Sequence, residues 1–198
     1  MKASTTYRNF IIMVILLTIQ SCQQENNAET KDNTVTVTTA NPIRNKKVAD
    51  SASLENSIQV DMFIQQIALG GMFEIAIGKL AIDKAQDSDI KSFAEQMIQE
   101  YSRINLEISA LSATKGLRLP GVLQQKQQRQ VQEMNTMKNE YFEKLYLKIV
   151  IHELDKYIEL FKSALNSPDG EVSHFAQKFL PVLQMQRQGA YELPGSIR

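Results

Sequence analysis

From Ser57 onward the apolar residues of this chain return at intervals of three and four, and nothing in that stretch alternates as a strand would. The clearest run is Ile90, Phe93, Met97, Tyr101, Ile104, Ile108 and Leu111. Asp87-Ser88-Asp89 precedes it with side chains suited to an N-cap, and Lys115-Gly116 closes it, since glycine accepts the left-handed cap conformation. An earlier helix is predicted from about Ser57 to Ala85, with Val60, Ile64, Ile67 and Ile75 on one stripe. A third carries Phe142, Tyr146, Ile149, Val150, Tyr157 and Phe161 and ends before Ser167-Pro168-Asp169-Gly170. A fourth carries Val172, Phe175, Phe179 and Leu183, with Pro181 expected to bend it. The glutamine-rich stretch Gln124–Gln132 reads as a loosely held helical lead-in to the third helix. Four amphipathic helices with short connections predict an all-α fold, an antiparallel four-helix bundle over residues 58–192 with a short tail at 193–198.

Ahead of the bundle the character changes. Lys2 and Arg8 precede an unbroken apolar run from Phe10 to Ile19, followed by Gln20-Ser21-Cys22. This is the layout of a bacterial secretion signal, and the run is too short for the roughly 20 residues of a membrane-spanning helix. Ile19-Gln20-Ser21-Cys22 resembles a lipobox, so residues 1–21 are expected to be removed and Cys22 acylated. Small residues are more usual than Gln at position 20, which leaves cleavage by the ordinary signal peptidase as the other route. Residues 22–57 are polar and poor in aromatics, and read as a disordered tether that holds the domain on the order of 30 Å from the membrane.

Composition narrows the function classes. Cys22 is the single cysteine, so a disulfide framework, thiol catalysis and cysteine-rich metal sites are excluded. Lys and Arg total 22, Asp and Glu total 22, and no basic cluster stands out, which argues against nucleic acid as partner. No phosphate loop, nucleophile elbow or catalytic triad spacing is present, so no enzymatic activity is expected.

A few residues break the apolar stripes. Gly70, Gly71 and Gly78 lie inside the first helix, where glycine costs about 1 kcal/mol relative to alanine. Close approach of a neighbouring helix or a bulky aromatic is the first explanation, space beside a ligand the second. Glu74 shares their face, three residues from Gly71 and four from Gly78. Tyr101 sits on the second stripe beside Glu100, His152 lies between Ile149 and Tyr157 beside Glu153, and Gln186 continues the fourth stripe. Inward carboxylates and histidines on facing helices are how di-iron bundles hold metal. That chemistry needs a Glu-x-x-His pair on two helices, and this chain has none. The six residues are therefore expected to form a hydrogen-bonded polar layer or a degenerate metal site, with no metal or other cofactor; iron or manganese is the alternative.

Asp61-x-Phe63, Gly70-Gly71-x-x-Glu74, Gly78-x-Leu80-Ala81, Lys91-x-Phe93-Ala94-x-x-Met97, Asn105, Leu119-Pro120 and Phe175-Ala176-x-x-x-Leu180-Pro181 follow in order. Over Asp61 to Tyr191 the chain resembles the bacterial envelope family called domain of unknown function 4142, often labelled outer membrane protein. The resemblance implies a ferritin-like four-helix bundle, exported and without an established activity. It also implies histidines where this chain has Tyr101 and Gln186, while the glutamate is kept as Glu74 and the third-helix histidine as His152.

Two functions follow as expectations. The first is a non-catalytic lipoprotein of the cell envelope, anchored through acylated Cys22 and binding an envelope protein or supporting the envelope. The second is a ferritin-like metal-binding or redox protein using Glu74, Glu100, His152 and Glu153. Gln24, two residues past Cys22, is not the aspartate that favours inner-membrane retention in some bacteria, which favours the outer membrane, with the domain in the periplasm or at the cell surface.

Overall fold

In the computed structural model, residues 42–195 are described, with side chains from Ser53 onward (Glu140 excepted). The expected signal segment, Cys22, the first part of the tether and the last three residues lie outside them. Five helices follow in order: α1 (Pro42–Lys84), α2 (Ser88–Thr114), α3 (Gln125–Thr136), α4 (Asn139–Ala164) and α5 (Gly170–Glu192). The described residues contain no strand.

α1 corrects the tether expectation, because it starts at Pro42 and makes residues 42–57 helical. Proline suits the first helical position, where its missing N–H would have no partner. The stretch has little apolar surface to bury, which is why its sequence reads as a tether. A helix already nucleated in a bundle extends one bond per residue through Ala49, Ala52, Leu54 and Glu55 without needing burial.

The turns fix the topology. Asp87 caps α2, its Oδ1 accepting from the Asp89 and Ile90 amides at 2.7 and 3.3 Å. The Glu143 carboxylate accepts from the Gln86 and Asp87 amides at 2.6 and 2.9 Å, which ties the α1–α2 turn to the start of α4. At the opposite end Lys115, past the close of α2, pairs with Asp169 and Glu171 at the start of α5. So α1 and α5 run one way and α2 and α4 the other, and these four helices pack on antiparallel neighbours: α1 on α2 and α4, α5 on α2 and α4.

The α2–α4 connection is not short. It crosses the length of the bundle, with Gln65 Nε2 donating to the Arg118 carbonyl at 3.2 Å and Lys84 Nζ to the Asn135 carbonyl at 3.0 Å. The glutamine-rich stretch is thus an independent helix laid along α1, not a lead-in to α4. It is pinned by one buried side chain, Met134.

Aromatic rings fill the core. Phe63, Phe161, Phe175 and Phe179 pack at centroid distances of 4.9–6.1 Å towards one end, and Phe142 stacks on Tyr146 at 6.1 Å towards the other. Pairs of this kind contribute about 0.5–1.5 kcal/mol each beyond their burial. α5 continues through Pro181 to Glu192 as a single helix. Between the two aromatic groups the core turns polar.

Candidate functional site

Glu74 occupies that polar region, 1% exposed on α1. Around it stand the Tyr101 and Asn105 side chains of α2 and Tyr146 and Tyr157 of α4. Glu74 acts electrostatically on all three phenols. Tyr101 and Tyr157 meet edge to face at 6.5 Å. The glycines explain how they fit: a Cβ on Gly70 would overlap the Tyr157 hydroxyl, and one on Gly71 would overlap the Asn105 amide. A Cβ on Gly78 would stand 2.9 Å from Ile98 Cγ1. The glycines make room for neighbouring side chains, as the close-approach reading expects.

Both Glu74 oxygens, the Tyr101 and Tyr146 hydroxyls and Asn105 Oδ1 are buried without a hydrogen-bond partner. Burial pushes the Glu74 carboxyl well above the ordinary carboxylic range, Glu153 raises it further, and Lys156 only partly opposes this. Burial, then the neighbouring Glu74 carboxyl, drives the Tyr101 and Tyr146 phenols up. Tyr157 is raised by the same two causes and by Glu153, to which its hydroxyl is bonded.

Above this cluster a groove of about 750 Å³ opens between α1, α3 and α4. Gln66, Gly70 and Phe73 line it from α1, Gln127 and Gln130 from α3, and Glu153, Lys156 and Tyr157 from α4. Lys156 Nζ donates to Glu153 at 2.8 Å. Tyr157 and Glu153 therefore belong both to the groove wall and to the surroundings of Glu74.

The six residues singled out in the sequence do not meet in one layer. Glu74 and Tyr101 lie in the interior, and Glu153 lies at the groove. Glu100 pairs with Arg103 at 2.6 Å and shares a shallow cleft between α2 and α5 with the buried Gln186. His152 is exposed, which corrects its assignment to the core. The inward positions of α4 on that turn are Val150, Ile151 and Leu154, while His152 lines the groove between α1, α3 and α4 beside Glu153 and Lys156. His174 is exposed as well.

Three members of the cluster escaped the sequence reading as polar groups: Asn105, Tyr146 and Tyr157. The signal was present. Tyr146 and Tyr157 stand about three helical turns apart on a hydrocarbon stripe, and Asn105 follows Tyr101 by four. The assembly offers an acid, phenols and an amide, with no nucleophile beside a base. Among the described residues no three of histidine, cysteine, aspartate and glutamate gather as a metal site would require.

A crystal structure of a DUF305 fragment from Deinococcus radiodurans superposes with a TM-score of 0.60 at 14% identity, covering 67% of this chain and 92% of that one. At that identity the likeness speaks for the fold alone. No curated protein matches the sequence. The profile of the family described as "Domain of unknown function (DUF4142)" matches residues 45–193, from the first turn of α1 to just past α5, and the chain belongs to that family.

Proposed function

We propose that the protein is a non-catalytic lipoprotein of the bacterial cell envelope, tethered through acylated Cys22, whose helical bundle holds an envelope partner in the groove between α1, α3 and α4. The observation that carries this reading is that the buried acid and phenols are out of reach of the groove. Glu74, Tyr101 and Tyr146 are sealed at 0–3% exposure, whereas the open groove presents amides, paired charges, Tyr157 and the exposed imidazole of His152. The groove offers about 750 Å³ of open space between three helices. Outer-membrane placement follows from Gln24.

Labelling growing cells with a fatty-acid analogue tests the anchor. The label should sit on the wild-type chain, vanish in Cys22→Ser, and co-sediment with outer membrane. A label that persists in Cys22→Ser, or a wild-type chain free in the periplasm, would overturn the tether. Turnover of peroxide or ferrous iron by the purified protein would overturn the non-catalytic reading. The ferritin-like metal or redox alternative keeps one observation in its favour, the unpartnered carboxyl of Glu74.

A further inference from the structure

Bundles with inward carboxylates and histidines use them to hold metal, and the residues of this chain do not fit that use. Its central carboxyl faces phenols and an amide, His152 is exposed, and Gln186 lies in the α2–α5 cleft. What the interior holds is five partnerless oxygens, from Glu74, Tyr101, Asn105 and Tyr146. Buried polar atoms are almost always hydrogen-bonded, so five orphans on three helices need a common explanation.

The protonation state of Glu74 decides whether these atoms can serve one another. An ionised Glu74 only accepts, and would be a buried charge acted on by Glu153, which repels it, and by Lys156, which is already bonded to Glu153. A protonated Glu74 both donates and accepts. Its O–H can serve Asn105 Oδ1 while its other oxygen serves Tyr101 and Tyr146, with ordered water bridging the gaps that leave these atoms without a direct partner. No charge is then left in the core.

We propose that Glu74 is a protonated carboxyl at neutral pH, the hub of a closed acid–phenol–amide cluster with Tyr101, Asn105 and Tyr146, and that this cluster stands where carboxylate–histidine bundles hold metal. The protein then joins α1, α2 and α4 at mid-bundle by neutral hydrogen bonds and needs no ion to do so. This is independent of the partner in the groove.

Infrared spectroscopy on the intact detergent-solubilised chain tests it at pH 7. The wild type should show the C=O band of a protonated carboxyl, and Glu74→Gln should lose it. Iron, manganese and zinc should leave the melting temperature unchanged and should not be retained after dialysis. The absence of a protonated-carboxyl band, its survival in Glu74→Gln, or one metal per chain lost in that variant would overturn the proposal. Should Glu74→Gln fold poorly, Tyr146→Phe removes one hydroxyl only; a shifted band supports the cluster, and an unshifted band contradicts it.

Discussion

At the scale of single residues, the core of this bundle is decided by where a carboxyl and two glycines fall on α1. Glu74 has a folded-state pKa raised above its ordinary value of 4.5, chiefly by burial. An acid raised in this way stabilises the fold fully below its unfolded pKa. That contribution is lost as pH rises from there towards the folded pKa, and is constant beyond it. Stability measured by urea unfolding should therefore fall as pH climbs from about 4.5 towards neutrality. Glu74→Gln should flatten that slope and leave the protein more stable than wild type at pH 7; an unchanged slope would mean that Glu74 is not the titrating group. Gly70→Ala drives a methyl into the Tyr157 hydroxyl, and overpacking of that kind costs about 1–3 kcal/mol. Pairing it with Tyr157→Phe removes the hydroxyl but leaves two ring carbons in the way, so it should recover little of the loss, whereas Tyr157→Leu, which removes the ring, should recover more in the same unfolding measurement.

At the scale of elements, α2 was legible in full, because its apolar residues keep one narrow stripe and both ends carry cap residues. α4 was legible as a helix but not as to which way His152 faces. Ile149, Val150 and Ile151 are all buried, so the buried face is too broad for flanking residues to show where a neighbour points. The start of α1 was hidden for another reason: its first turns gain stability from continuity with the bundle and carry no pattern of their own. Asp169 should carry more of α5 than its exposure suggests, since it caps the helix and pairs with Lys115. Asp169→Ala should lower stability by about 1–2 kcal/mol, while Asp169→Asn keeps the cap and should recover most of it. α3, held by Met134 alone among buried side chains, should exchange its amide hydrogens well before α2 and α4. Exchange of α3 in step with α2 would show that the crossover is part of the cooperative core.

At the scale of the whole molecule, the sequence carried the all-α bundle and the family, because both depend on periodicity and ordered motifs. It did not carry the crossover along α1 or the polar cluster, because those depend on which helix faces which. Asn105 and Tyr146 become neighbours of Glu74 only once α2 and α4 are packed on α1. The functional reading rests on a claim at the other end of the chain, that the bundle is held at a membrane by Cys22. Mass spectrometry of the N-terminal peptide from membrane-extracted protein tests it most directly. The account predicts a peptide that begins at Cys22 and carries fatty acyl chains. A peptide beginning at another residue, or an unmodified Cys22, would contradict it.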